Sequence, residues 1–181
     1  MNYVEPIRNS SDVNALTNKL RKDSERNYIM FIIGIYSGLR ISDILRLRVR
    51  DVKGKEQIAI REKKTGKQKM FPINPILKKE LKKYCSDKEL DEFLIKSRNG
   101  YNRAIGRERA YIILREAGEE LGIYNLATHT LRKTFGYHYY MQYNDIAELQ
   151  KIFNHSAPGV TLRYIGVEKS RIDRRIKSFK I

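Results

Sequence analysis

Residues 128–135 of this 181-residue chain have the sequence Thr-His-Thr-Leu-Arg-Lys-Thr-Phe, at the expected start of a helix. His129 and Arg132 lie three positions apart, so their side chains share one helix face, and a helix N-terminus itself attracts phosphate. Further along the chain, His155 precedes Tyr164 by nine residues. Any of the 12 tyrosines could be a nucleophile on composition alone. Tyr164 is the tyrosine whose spacing from His155 and from the His129–Arg132 pair fits a nucleophile at the same site.

Two segments nearer the N-terminus offer further cations. Residues 38–43 have the sequence Gly-Leu-Arg-Ile-Ser-Asp, and Arg40 stands in a turn where its planar guanidinium can face a phosphate. Asp43 begins the next predicted helix, where a carboxylate interacts favourably with the helix N-terminus. Residues 62–67, Glu-Lys-Lys-Thr-Gly-Lys, form the predicted basic tip of a hairpin and include Lys64. Taken singly, Arg40 and Lys64 are better explained as ordinary solvated surface charges.

The charge balance predicts a polyanionic partner. Lys and Arg total 37 against 21 Asp and Glu, which gives a formal net charge of +16. Nucleic acid is the commonest partner of so basic a protein, although a generally basic surface remains the alternative. Phosphoryl transfer needs positive charge around the reacting phosphate, and the sequence has no paired-carboxylate or His-Glu-x-x-His motif to hold a metal. We therefore expect Arg, Lys and His side chains to supply that charge, with no metal and no cofactor.

Cysteine usage and hydropathy bear on the compartment. The chain has a single cysteine, Cys85, which excludes an intramolecular disulfide and has no neighbouring Cys or His to share a zinc ion. The longest apolar run, residues 29–35, is too short to span a bilayer. These features predict a cytoplasmic protein with no membrane partner.

Periodicity predicts a mainly α fold with one small antiparallel β-hairpin, in a single domain over residues 1–181. The predicted strands cover residues 58–60 and 69–73. Gly38 and the pair Asn74-Pro75 are the clearest signals for a helix end and a helix start. The predicted helices begin at Ser10 or Ser11 and then cover residues 25–37, 41–47, 75–84, 106–121, 130–143, 145–153, 158–164 and 168–178.

The order Arg, Asp, Lys, His-x-x-Arg, His, Tyr resembles the tyrosine recombinase, or phage integrase, family, which includes lambda integrase, Cre and the Xer proteins. The matching residues extend over positions 38–164 and occur in the family's order. Each element is weak alone, whereas seven in order at suitable spacing are specific. The resemblance implies the catalytic-domain fold of these enzymes and a site-specific recombinase or integrase that acts on double-stranded DNA without metal or ATP.

The resemblance also implies a role for each matching residue. Tyr164 would attack the scissile phosphate to form a 3′-phosphotyrosine link and free a 5′ hydroxyl. Lys64 would be the general acid for that 5′ oxygen, and His129 the general base or a phosphate donor. Arg40, Arg132 and His155 would donate hydrogen bonds to the scissile phosphate. Asp43 would support these residues without contacting the phosphate.

Other positions concern DNA contact and departures from the family pattern. Residue 154 is Asn where the family often has Gly, and residue 133 is Lys where a second His is common.

Larger members carry a helical core-binding domain ahead of the catalytic domain, and we expect none in this chain. The basic residues near the motifs are expected to contact DNA: Lys63, Lys67, Lys133 and Arg163.

Two other functions share these residues. In a non-catalytic DNA-binding module, the arginines and Lys64 would contact phosphates only, but simple binding requires neither Tyr164 nor the histidines. A topoisomerase-like nicking and closing enzyme would use the same site. Within the last predicted helix, Ile172, Ile176 and Phe179 form an apolar stripe. Packing of this stripe on its own domain is one alternative. In the family that the sequence resembles, a C-terminal helix often docks on a neighbouring protomer, so the resemblance implies that residues 168–181 are exchanged between protomers in a DNA-assembled homotetramer that is monomeric when free.

Overall fold

The computed structural model describes residues 4–61, 68–167 and 176–180. The described part is mainly helical with a two-stranded antiparallel sheet, as predicted. Its helices are α1 Ser10–Asp23, α2 Glu25–Ser37, α3 Ile41–Ile44, α4 Pro75–Tyr84, α5 Arg107–Glu119, α6 Thr128–Tyr143, α7 Ile146–Phe153 and α8 Pro158–Tyr164, and its strands are β1 Gln57–Arg61 and β2 Gln68–Pro72. No helix in these ranges is long and apolar enough to cross a membrane.

Local capping signals set several helix ends as expected. Helix α4 begins after Asn74, whose side-chain oxygen accepts a hydrogen bond of 2.7 Å from the Leu77 amide, and Pro75 follows at the first helical position. Helix α2 ends at Gly38 in the left-handed conformation. Helix α1 begins at Ser10, as predicted, but its cap is Asn9, whose side chain accepts the amide hydrogen of Ser11.

Several other helix bounds also differ from the sequence prediction. Helix α5 covers Arg107–Glu119 and not 106–121, and α7 begins at Ile146 and not at residue 145. Helix α3 ends at Ile44 and not at residue 47, because the next amides bond three residues back, Arg46 to Asp43 and Leu47 to Ile44. Helix α6 begins at Thr128, two residues early, and the Thr130 hydroxyl there accepts a bond of 3.0 Å from the Ala127 amide.

The hairpin pairs Gln57 with Pro72 and Arg61 with Gln68. The basic residues predicted at its tip, including Lys64, lie outside the described residues, as does most of the predicted helix 168–178. Within the described part, residues 176–178 are helical.

Among the described residues, buried apolar side chains form two clusters. The larger one centres on α2, whose residues Phe31 to Ile33 are at most 1% exposed, and includes side chains from α1, α3, α4 and α5. The smaller one joins α7 and the end of α8 through Leu149, Phe153 and Ile165, with aromatic residues of α6 packed against it. Helix α6 belongs to both, since Leu131 lies in the first cluster and Phe135 packs on the second. The candidate site lies where the two clusters meet.

Candidate active site

Arg132 ties the two clusters together from α6. Its side chain is 5% exposed. Nη1 donates to the carbonyl of Gly38 at the end of α2, and Nη2 donates over 3.1 Å to the carbonyl of Phe153 at the end of α7. The guanidinium also lies 4.2 Å above the Phe153 ring. Burial lowers the pKa of Arg132 to about 10, so the guanidinium stays charged at neutral pH.

The turn after α2 requires glycine at position 38. The φ angle of Gly38 is 64°, and a Cβ atom there would lie 2.4 Å from Cδ1 of Phe135. This conformation aims the Gly38 carbonyl at Arg132 and leads the chain directly to Arg40, which is exposed at the start of α3. The Gly-Leu-Arg turn therefore places both arginines at one site.

Tyr164 ends α8 and lies in an aromatic and cationic pocket. Its ring meets the rings of Phe153 and His155 edge-on, with centroid separations of 5.5 and 5.1 Å. Burial raises the pKa of Tyr164, and the positive charges of Arg132 and Arg40 oppose that rise. The phenol is thus protonated at neutral pH, so its use as a nucleophile requires a base.

His155 is held from α8 by a residue that the sequence analysis did not select. Its Nδ1 lies 3.1 Å from the hydroxyl oxygen of Thr161, which is fully buried. Burial lowers the pKa of His155, and Arg132 and Arg40 lower it further. Thr161 is three residues before Tyr164 and so shares its helix face. A threonine one helical turn before Tyr164 was therefore a sequence signal for a further polar residue at the site.

The departure at residue 154 has a conformational explanation. Asn154 ends α7 in the left-handed region, with φ 57°. Glycine is the easiest residue to place there, and asparagine is among the best tolerated of the others. Asn154 therefore supports the turn that leads to His155 without requiring a different backbone.

His129 lies at the rim of the same site. It is exposed in the first turn of α6, yet partial desolvation by the protein lowers its pKa, with Arg107, Arg132, Lys133 and Arg40 adding to the effect. Among the charged residues, Arg107, the first residue of α5, lowers the pKa of His129 the most. Nothing in the sequence separated Arg107 from its neighbouring arginines, because its proximity depends on how α5 packs against α6.

Asp43 lies behind the arginines. Its side chain is partly buried in α3, and its negative charge favours the charged form of Arg132, against the larger effect of burial. The structure thus brings together Arg40, Asp43, His129, Arg132, His155 and Tyr164.

The four basic residues expected to contact DNA differ in where the structure places them. Arg163 is exposed on α8. Lys63, Lys64 and Lys67 lie outside the described residues. Lys133 was expected at the DNA surface, but it is 9% exposed and its Nζ donates over 2.7 Å to the carbonyl of Val4. The sequence showed its charge but not its burial.

The arrangement suits an anionic transition state. Cations and hydrogen-bond donors fixed around a phenol can stabilise charge that develops on phosphate oxygens, at no cost of reorganisation during the reaction. The two histidines are neutral at pH 7, because the pKa of each is lowered from its usual value. A neutral imidazole can accept a proton as well as donate one.

Comparison with known proteins identifies the family. Residues 9–171 match the Phage integrase family. The chain is 44% identical over 179 residues to the probable integrase/recombinase YoeC of Bacillus subtilis (strain 168), covering 99% of this chain and 98% of that protein. This chain therefore belongs to the phage integrase family, the tyrosine recombinases, as the order of its motifs predicted.

Solved structures show the same fold. The crystal structure of XerA recombinase matches 99% of this chain with a TM-score of 0.78 at 19% identity, and this chain covers 67% of the XerA chain. The XerH recombinase in its post-cleavage complex matches 98% of this chain with a TM-score of 0.75 at 18% identity. This chain spans 54% of that XerH chain. The predicted tyrosine recombinase catalytic-domain fold is confirmed.

Proposed function

We propose that this protein is a site-specific recombinase that cleaves and rejoins double-stranded DNA through a covalent 3′-phosphotyrosine link at Tyr164. One observation carries the proposal: the partly buried Tyr164 ring lies among His155, Arg132 and Arg40, which are held by three different parts of the chain. Duplex DNA as substrate is supported by the basic charge of the chain and by the XerH relative, which was solved bound to palindromic difH substrate.

In the proposed reaction, the Tyr164 phenolic oxygen attacks phosphorus while the bond from phosphorus to the 5′ oxygen breaks. Neutral His129 accepts the phenolic proton as general base. Lys64 gives a proton to the departing 5′ oxygen, which leaves as a free hydroxyl. Rejoining reverses these transfers with a 5′ hydroxyl as nucleophile, so neither ATP nor a metal takes part.

The remaining residues hold the phosphate. Arg132 contacts the phosphate from the boundary between the two apolar clusters. The hydrogen bonds to the carbonyls of Gly38 and Phe153 fix the position of its guanidinium. Arg40 approaches from the exposed turn. His155 uses Nδ1 toward Thr161 and so has Nε2 available for a phosphate oxygen. Asp43 supports the charge of Arg132.

We further propose that DNA gathers four protomers and that the free protein is monomeric. Contacts between protomers are then made multivalent by the DNA, which allows small interfaces to form that are weak in isolation. Residues 168–181 are the segment we assign to those contacts.

The deciding experiment offers a nicked suicide duplex to the Tyr164→Phe variant and seeks a covalent adduct on a denaturing gel. Loss of one hydroxyl should abolish the adduct while the Kd for DNA changes less than about twofold, since the cations remain. Tyr140→Phe, on α6, is the matched control and should form adduct normally. Adduct that persists in Tyr164→Phe would place the nucleophile elsewhere, and strict dependence on magnesium would contradict the proposed chemistry.

A further inference from the structure

Residues 4–8, here called the N-terminal strap, belong to neither a helix nor a strand and contact α6. The Ile7 amide donates over 2.9 Å to the hydroxyl of Thr134, and the Ile7 carbonyl lies 2.9 Å from Nε2 of His138. Ile7 and Thr134 are 5% and 1% exposed. Both backbone groups of Ile7 are therefore engaged with α6, which fixes the strap at its centre.

The strap also holds Lys133. The Val4 carbonyl accepts the 2.7 Å hydrogen bond from Lys133 Nζ, and the same ammonium lies 5.2 Å from the centroid of the Tyr164 ring. Burial lowers the pKa of Lys133, and the nearby carboxylate of Glu5 opposes that change. A largely buried ammonium requires polar or aromatic partners. The strap supplies one partner, and the ring of Tyr164 is another.

The far end of the strap reaches the chain just after Tyr164. Arg8 donates over 3.3 Å to the carbonyl of Gly166 and pairs with Glu5 at 2.5 Å. Gly166 is buried, and so are its neighbours Ile165 and Val167. The strap thus contacts the ring environment of Tyr164 through Lys133 and the backbone beyond it through Arg8.

We propose that Lys133 is a positioning residue for Tyr164 and that the strap sets its place. The ammonium of Lys133 lies against the ring, while Arg132, the preceding residue on α6, acts on the phenolic oxygen from inside the site. With the ring held by Lys133, Phe153 and His155, its hydroxyl keeps one direction relative to Arg132. This inference rests on the proposed nucleophilic role of Tyr164.

If Lys133 were purely structural, its replacement would change the stability of the protein but not the cleavage rate of the folded form. Lys133→Met leaves the Val4 carbonyl without its hydrogen bond, which is destabilising. Methionine matches lysine in length and retains packing. Lys133→Met should therefore fold with a lowered Tm, while the ring of Tyr164 loses its cationic contact.

The test is single-turnover cleavage of a nicked suicide duplex at saturating protein, with the full chain throughout. We expect Lys133→Met to cleave at least about tenfold more slowly, by analogy with other losses of substrate or nucleophile alignment, with the Kd for DNA within about twofold. Lys133→Arg, which keeps a cation and donors, should recover most of the rate. Lys79→Met removes an exposed lysine of α4 and should match the wild type.

Hydrogen exchange supplies the readout for position. Lys133→Met should exchange faster at the amides of residues 162–167 than the wild type, with α2 and α4 unchanged. Cleavage within twofold of wild type, or no recovery in Lys133→Arg, would overturn the inference. If Lys133→Met does not fold, Lys133→Gln serves in its place with the same expectation.

The two proposals fail separately. Adduct formation by Tyr164→Phe removes the proposed nucleophile and the inference with it. Loss of adduct in Tyr164→Phe combined with full activity in Lys133→Met leaves the proposed function intact and removes only the role of Lys133.

Discussion

At the residue scale, Arg132 combines a structural and a proposed chemical role. A guanidinium has five N–H donors, so bonds to the carbonyls of Gly38 and Phe153 leave others for a phosphate. The sequence predicted its charge at the site. The bonds that bring α2 and α7 together were not predictable, because they join residues 94 and 21 positions apart.

The lowered pKa values of the histidines predict a pH dependence. The pKa of His129 lies below its usual value of 6.5, chiefly through desolvation, so the proposed base is neutral at pH 7 and becomes protonated only below pH 6.5. The second-order rate constant of cleavage reports the free enzyme. It should be flat near pH 7 and fall about tenfold per unit once pH drops below the pKa of His129.

Measurement of that rate constant between pH 5 and 8 checks the expectation. His129→Gln should be slow at every pH and lack this decline. Gln142→Ala, which changes an exposed residue of α6, serves as a control for the profile itself. A midpoint above 6.5 would assign the decline to another group.

At the element scale, α6 and the end of α8 pack closely because position 136 has no side chain. A Cβ atom on Gly136 would lie 2.7 Å from both Ile165 and Phe153. This approach brings the residue after Tyr164 against the helix that bears Arg132. The position of the proposed nucleophile therefore depends on a glycine in mid-helix, where glycine otherwise disfavours the helix.

Gly136→Ala should destabilise the protein by about 1–3 kcal/mol, because the added methyl group overpacks the interface. Cleavage should slow as well, since relief of the clash displaces the turn at Tyr164. Gly159→Ala is the matched control: an added Cβ meets nothing within 4 Å there, and the residue is exposed in α8. Thermal unfolding of both variants checks the difference, and equal Tm values would refute it.

Helix bounds were predictable where one local residue decides them. Asn74 caps α4 and Gly38 ends α2 through contacts within four residues. The contact of His155 with Thr161 and the burial of Lys133 depend on how α6, α7 and α8 pack, which periodicity alone does not give. The order of the motifs identified the family, yet the supporting residues appeared only in the folded chain.

At the scale of the whole molecule, charged side chains lie at the boundary between the two apolar clusters of the described residues. The larger cluster carries Arg40 and Asp43 at its edge, and the smaller one carries His155 and Tyr164. Helix α6 links them through Arg132. Any shift of one cluster against the other changes the site, so the proposed assembly of protomers on DNA would influence cleavage without a contact at the phosphate itself.

The last prediction concerns Ile176 and Phe179, the described members of the apolar stripe in residues 168–181. They are 68% and 73% exposed, so little of either side chain packs on its own chain. Replacing both by Ser should leave Tm and single-site DNA binding nearly unchanged but abolish complexes that contain two duplexes, observed by native gel or light scattering with DNA. Tyr101→Ser alters a side chain that is 98% exposed and should retain two-duplex complexes. Because the double variant removes no buried contact of the free protein, normal assembly by it would show that residues 168–181 are not the exchanged segment.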